Sequence, residues 1–126
     1  MARILIVDDD PDIVESVTMV LEKNGHDVIG AYGGVEGLEK AKKEKPDAII
    51  LDVMMPDKDG YEVCKELKAD PEYSDIPILL LTAVVSKISS TSYTHRMGME
   101  TEADDYVDKP VEPSELARLV ERLLKK

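Results

Sequence analysis

The sequence predicts an α/β fold in which a parallel sheet is covered by helices on both faces. Short apolar runs alternate with amphipathic stretches of helical spacing, an order typical of such sheets. The apolar runs are unbroken, as expected of strands that are buried on both faces. Two of them, residues 4–7 and 48–51, end directly on aspartate. Those carboxylates are therefore expected at the sheet edge where ligands bind in open α/β folds.

Five strands are expected, each from a short apolar run. In chain order they lie at 4–7, 28–31, 48–51, 76–81 and 106–107. The second run is weaker than its neighbours, which favours an edge position. The fourth contains Pro77, and proline is tolerated near the entry of a strand. Turn-forming residues at 56–60 separate the third strand from the helix that follows.

Helices are expected in the intervals between these strands and after the last one. The first begins near Pro11, with Asp10 as a candidate cap, and ends at Asn24. Two more are marked by apolar side chains at helical spacing within 35–41 and 61–67. The segment 84–102 is rich in serine and threonine, and a helix is expected in its second half. A final amphipathic helix follows Pro113 and ends in lysines, which suit the helix dipole.

Length and charge restrict the class of protein. A chain of 126 residues with 43% hydrophobic content is expected to form one domain over 1–126. Its net charge of −11 argues against direct nucleic-acid binding and against an anionic membrane surface. A single cysteine, Cys64, fits a reducing compartment. Because no signal peptide or transmembrane run is visible, a cytoplasmic location is expected.

Polar side chains with complementary chemistry follow the predicted strands. Asp8 and Asp9 follow the first strand, Asp52 the third, Thr82 the fourth and Lys109 the fifth. Two carboxylates about 4 Å apart repel by roughly 4 kcal/mol at an effective dielectric constant near 20, so the cluster needs protons or a cation. Carboxylate oxygens are ligands that Mg²⁺ prefers, and a carboxylate can attack phosphorus. A lysine and a hydroxyl can hold phosphoryl oxygens.

Four motifs carry a resemblance to a known family. The chain resembles the response-regulator receiver domains of two-component signalling over nearly its whole length. The motifs are IVDDD at 6–10, LDVMMPDKDG at 51–60, LTA at 81–83 and ADDYVDKP at 103–110. The resemblance implies a flavodoxin-like, doubly wound fold: a five-stranded parallel sheet of order 2-1-3-4-5 with five flanking helices.

The resemblance also implies a phosphoacceptor site. Asp52 would accept the phosphoryl group. Asp8 and Asp9 would hold Mg²⁺ together with Asp52 and the backbone carbonyl of Met54. Lys109 would contact the phosphoryl group.

A switch is implied beside that site. Thr82 and Tyr106 would form the switch pair, with the hydroxyl moving toward the phosphoryl group and the ring turning inward. The competing interpretations are an ordinary strand-end threonine and a static core tyrosine. The peptide bond between Lys109 and Pro110 is expected to be cis.

The implied partners are proteins. A sensor histidine kinase or a phosphotransfer protein would supply the phosphoryl group. The face formed by the helix within 84–102 and the fifth strand would control a downstream target. The chain would catalyse only its own phosphoryl transfer and a slow autodephosphorylation. The slow rate is expected because Met54 and Val84, the side chains that flank the attacking water in the family, are apolar here.

Other functions remain as alternatives. An aspartate-nucleophile phosphohydrolase of the haloacid-dehalogenase type would need a second aspartate where this chain has Met54. A flavodoxin-like flavin carrier would need a phosphate-binding loop where this chain has three aspartates. A degenerate receiver could act as an unphosphorylated interaction module, although Asp9, Asp52 and Lys109 are intact.

Overall fold

The computed structural model describes residues 2–83, 103–109 and 111–125. The strands are β1 Arg3–Val7, β2 Asp27–Ala31, β3 Ala48–Asp52, β4 Ile78–Ala83 and β5 Asp105–Lys109. The helices are α1 Pro11–Lys23, α2 Gly34–Glu44, α3 Gly60–Ala69 and α4 Pro113–Leu124.

The sheet confirms the expected architecture. All neighbouring strands pair in parallel, and their order is β2-β1-β3-β4-β5. Four of the five expected helices lie in the described part of the chain. The fifth, expected within 84–102, lies outside the described residues. None of the helices that the structure describes is both long and apolar enough to cross a membrane.

Two strands differ from their expected bounds. β4 begins at Ile78 rather than at 76, since Pro77 has no N–H to donate to a ladder, and it extends through Thr82 and Ala83. β5 covers five residues instead of two, because each residue pairs with β4. Side chains of β5 alternate between half-buried and exposed. As polar residues occupy the exposed edge, the apolar signal in the sequence is shorter than the strand.

Successive strand residues face two different helix layers. Ile4, Ile6, Ile50, Leu79 and Leu81 pack against α1 and α4. The intervening residues pack on the other face. These include Leu5, Val7, Ile49, Leu51, Ile78 and Leu80, and they meet apolar side chains of α2 and α3. All five residues of β3, the central strand of the sheet, are buried, so the end of this strand is fixed from both sides.

Aspartate side chains accept hydrogen bonds from the first backbone amides of three helices. The carboxylate of Asp10 accepts a hydrogen bond from the backbone N–H of Asp12 and caps α1, as expected. Asp59 caps α3 in the same way. The N-cap residue of α2, Gly33, has no side chain to do so. Instead, Asp57 accepts hydrogen bonds from the first two amides of α2, at 3.0 and 3.1 Å. The β3–α3 loop is thereby tied to α2.

Gly60 permits the close approach of α3 to the end of β3. Its N–H donates to the carbonyl of Val53 at 2.9 Å. A Cβ atom at this position would lie 2.2 Å from the carbonyl oxygen of Asp52. Because the contact is with backbone, no side-chain rotation can relieve it.

We expect Gly60→Ala to lower the free energy of unfolding by about 1–3 kcal/mol, the usual cost of overpacking a tight contact. Urea unfolding followed by circular dichroism measures this. Gly33→Ala is the matched control, since the three atoms nearest to its Cβ would belong to the Asp57 carboxylate, at 3.0–3.4 Å, and a side chain can shift where backbone cannot. A loss in the control as large as that in Gly60→Ala would contradict this explanation.

Candidate functional site

The parallel register brings the predicted site residues to one edge of the sheet. Val7, the last residue of β1, pairs with Leu51, so Asp8 and Asp52 each lie one position beyond that pair. Lys109 is the last residue of β5 and pairs with Ala83. Within the described ranges, the buried polar and charged residues are Asp8, Asp52 and Thr82, all at this edge.

Lys109 links the two buried carboxylates. Its ammonium nitrogen lies 2.9 Å from Oδ2 of Asp8 and 3.1 Å from Oδ1 of Asp52. Asp8 is 0% and Asp52 2% exposed, whereas the Lys109 side chain keeps 23% of its surface exposed. Such carboxylates lose most of their hydration, and the ammonium compensates both in part.

The two oxygens of Asp8 have different surroundings. Oδ1 accepts a hydrogen bond from the backbone N–H of Asp10 at 2.9 Å. Oδ2 is buried and, among the described residues, accepts no hydrogen bond. Its contact with Lys109 is an ion pair whose geometry does not meet that of a hydrogen bond. Asp8 therefore has a buried oxygen with unused capacity to bind a donor or a cation.

Asp9 completes an acidic cluster. Asp8, Asp9 and Asp52 each offer an oxygen, and these oxygens lie within 4.8 Å of one another. Asp9 is exposed, so the cluster opens to solvent on its side. Three carboxylates meet one ammonium, that of Lys109, in the part of the chain that the structure describes. The donor set is the type that a hard divalent cation takes, and the residues fit such an ion.

The electrostatics of the cluster shift the pKa of two groups. Burial raises the pKa of Asp52 from 3.8 to about 6, and the charge of Asp8 adds to the rise, while Lys109 opposes it. Burial alone would lower the pKa of Lys109. Its contacts with Asp8 and Asp52 outweigh burial, so the pKa of Lys109 is raised above its usual 10.5. The lysine therefore stays charged at neutral pH.

Thr82 and Tyr106 lie on the other face of the sheet from this cluster. Leu81 pairs with Asp52, and the next residue, Thr82, faces the opposite helix layer. The Thr82 hydroxyl donates to Oδ1 of Asp108 at 2.5 Å. Tyr106 is 39% exposed. The sequence did not point to Asp108. Its contact follows from the β4–β5 register, which pairs it with Thr82.

The side chain of Met54 is 67% exposed, and the expectation that its backbone carbonyl binds a metal ion stays a prediction. Val84 and the Lys109–Pro110 peptide bond involve residues outside those described, so the expectations about them stay predictions.

Known proteins are similar to this chain in sequence. A profile of the response regulator receiver domain matches residues 4–121. The chain is 44% identical over 124 residues to the alkaline phosphatase synthesis transcriptional regulatory protein PhoP of Bacillus subtilis, covering 98% of this chain and 49% of that protein. It is 38% identical to protein PilH of Pseudomonas aeruginosa, covering 98% of each.

A solved structure shares the fold. The chemotaxis response regulator CheY4 of Vibrio cholerae superposes with a TM-score of 0.86 at 32% identity, covering 98% of both chains. The chain spans about half the length of PhoP and of several other curated relatives, including proteins named as DNA-binding regulators. DNA binding belongs to those proteins as wholes. The expectation that this chain makes no direct contact with nucleic acid stays a prediction.

The raised pKa of Asp52 predicts a pH-dependent cost to stability. The unfolded chain ionises this carboxyl above about pH 3.8, but the folded protein does so only above about pH 6. The cost of the buried charge is thus absent below pH 3.8, grows as the pH rises, and is complete above pH 6. We expect Asp52→Asn, without metal, to raise the free energy of unfolding by about 2–3 kcal/mol at pH 7.5.

At pH 4.5 the gain in free energy of unfolding from Asp52→Asn should shrink to roughly a third of its value at pH 7.5, by the same linkage. Urea titrations in EDTA at the two pH values measure it. Asp75→Asn removes an exposed carboxylate and serves as the control, with little change at either pH. If the gain in free energy of unfolding from Asp52→Asn instead grew toward acid pH, the expected direction of the pH dependence would be wrong.

Proposed function

The chain belongs to the response-regulator receiver domains of two-component signalling, and on this premise we propose that Asp52 is its phosphoacceptor. The observation that carries the proposal is the contact of Lys109 with both Asp8 and Asp52 at the buried end of the central strand. The family is one of signalling domains. In agreement, we propose that the chain turns over no external substrate.

The surroundings of Asp52 support nucleophilic attack on phosphorus. A carboxylate that has lost its hydration, with a pKa raised to about 6, is more basic than an exposed aspartate and still ionised at neutral pH. A lone pair of Asp52 would form the new bond to phosphorus, and the bond from phosphorus to the donor's leaving group would break with its electron pair. The ammonium of Lys109 would stabilise the negative charge on the phosphoryl oxygens.

The acidic cluster supports a Mg²⁺ site. Asp8, Asp9 and Asp52 would hold the ion with the backbone carbonyl of Met54. When bound, Mg²⁺ would neutralise charge on the phosphoryl oxygens and on the crowded carboxylates. The buried Oδ2 of Asp8 supports this assignment, because it accepts no hydrogen bond among the described residues and Lys109 is its one charged contact there, which leaves capacity for a cation.

The switch would use the second face of the sheet edge. Thr82 would donate its hydroxyl to the phosphoryl group, and Tyr106 would turn inward to fill the space that is released. The change would alter the surface of β5 and the segment 84–102, and a protein partner would recognise it. A sensor histidine kinase or a phosphotransfer protein would supply the phosphoryl group.

The phosphorylated state would be long-lived. An apolar side chain at Met54 cannot orient or deprotonate a water. The same residue makes the phosphohydrolase alternative weaker, since that reaction needs an acid–base carboxylate at this position. The expected cytoplasmic location stays a prediction.

Acetyl phosphate with Mg²⁺ should add one phosphoryl group, which intact-mass spectrometry detects. Asp52→Asn should lose this modification, because no other described carboxylate shares its contact with Lys109 and its place at the end of β3. Lys109→Ala should slow it at least tenfold, in line with the loss of one donor to transition-state charge. Lys65→Ala, which removes an exposed lysine of α3, is the control and should react at the normal rate.

The chemistry of the adduct distinguishes an acyl phosphate from a phosphoserine or phosphothreonine. Hydroxylamine cleaves the acyl phosphate and leaves the others intact. An adduct that resists hydroxylamine, or one that forms equally well in Asp52→Asn, would refute the assignment.

Mg²⁺ should raise the melting temperature of the unmodified protein. An ion bound by the native state alone adds about 2.7 kcal/mol at a hundredfold excess over its Kd. Differential scanning fluorimetry with 0–20 mM MgCl₂, at constant ionic strength, measures the shift. Asp9→Asn should reduce it, whereas Asp75→Asn should leave it unchanged. A melting temperature indifferent to Mg²⁺ would rule out the metal site.

A further inference from the structure

A carboxylate also contacts a hydroxyl on the face of the sheet edge opposite the acidic cluster. Thr82 and Asp108 are register partners in β4 and β5, so their side chains point to the same face. Alternation along the two strands puts them on the face of Leu80, while Leu81 and Lys109 lie on the other. The Thr82 hydroxyl donates to Oδ1 of Asp108 at 2.5 Å.

The Thr82 hydroxyl has one proton to donate, and the hydrogen bond to Asp108 uses it. Thr82 is 1% exposed, so water competes little for this proton. The carbonyl of Val107 is a second acceptor, but at 3.3 Å it is the more distant one. A carboxylate acceptor makes a stronger hydrogen bond than a neutral carbonyl does. The hydroxyl is therefore held by Asp108 in this state of the protein.

We propose that Asp108 is a positioning residue that holds the Thr82 hydroxyl away from the phosphoryl site and so opposes activation. The inference rests on the proposed function, in which Thr82 must donate to the phosphoryl group. Two anionic acceptors then compete for one proton. The free-energy difference between the two hydrogen bonds sets how readily the domain adopts its phosphorylated conformation.

Asp108, which would compete with the phosphoryl group for the Thr82 proton, is the residue directly before Lys109. The two residues are consecutive in β5, and their side chains leave the strand on opposite faces. Lys109 contacts the carboxylates of the acidic cluster, while Asp108 contacts the hydroxyl. Removing the Asp108 carboxylate should release Thr82 without removing any residue assigned to phosphoryl transfer or to the metal.

Binding of beryllofluoride in the presence of Mg²⁺ tests the proposal, with isothermal titration calorimetry as the readout. A charge-assisted hydrogen bond corresponds to a factor of roughly 10 to 100 in an equilibrium constant. Because Asp108 is exposed, the lower end applies. Asp108→Val should therefore lower the half-saturating concentration about tenfold. Asp108→Asn keeps the shape of the side chain and should lower it about threefold.

A matched control separates this effect from a general change in charge. Asp105→Asn removes a carboxylate from the same strand, where it lies 3.4 Å from a guanidinium nitrogen of Arg122. This variant should bind beryllofluoride like the wild type. A tenfold gain in the control would overturn the proposal, because loss of any negative charge on β5 would then suffice.

A double-mutant cycle shows whether Asp108 acts through Thr82. In a Thr82→Ala background, Asp108→Val should leave the affinity unchanged, because no hydroxyl remains to be held. The same tenfold gain in that background would mean that the carboxylate acts by repelling the ligand, and the proposal would be wrong. A change of fold is excluded by the circular dichroism spectrum, and Asp108→Asn provides the test if the valine variant does not fold.

Failure of this inference is distinguishable from failure of the proposed function. Wild type that binds beryllofluoride and gains a phosphoryl group, with Asp108 variants that bind no better, would overturn the role of Asp108 alone. Wild type that neither binds beryllofluoride nor gains a phosphoryl group would overturn both.

Discussion

The contact of one ammonium with two buried carboxylates is the interaction on which this sheet edge depends. Asp8 and Asp52 are taken out of water by the strands that carry them, and Lys109 compensates their charge only in part. Burial first, and then the uncompensated charge of Asp8, raise the pKa of Asp52. A cluster arranged for stability alone would pair its charges more evenly. The deficit leaves room for positive charge from a ligand.

The rest of the fold fixes this geometry from a distance. A parallel register delivers the ends of β1, β3 and β5 to one edge, and buried apolar side chains on both faces prevent a slip of register. The loop after Asp52 is held at its two ends. Gly60 lets α3 approach the backbone of β3, and Asp57 caps α2. The acidic cluster is therefore tied to the buried sheet and, through the loop after Asp52, to α2 and α3.

Those parts of the site that follow directly from local pattern could be predicted from the sequence. Asp8, Asp9 and Asp52 each follow an apolar run, and strand direction alone places them at one edge. Contacts that depend on register or on long-range packing could not be predicted. Asp108 meets Thr82 only because β5 is longer than its apolar signal, and the capping of α2 by Asp57 joins residues that are 23 positions apart. The end of β4 and the bounds of β5 differ from the expected ones for the same reason, since pairing extends a strand beyond its apolar residues, whereas Pro77 delays the start of β4.

Two consecutive residues of β5 contact the two faces of the sheet edge. β5 presents Lys109 to the carboxylates on one face and Asp108 to the hydroxyl on the other, and one peptide unit separates them. A new anion beside Lys109 would change the force on that side chain, and β5, which carries Lys109, also carries the acceptor of the Thr82 hydroxyl. Under the proposed switch, coupling between the charged cluster and the opposite face would need no chain of intermediates through the core. It would require two acceptors for one proton and a single strand that carries both the ammonium and one of those acceptors.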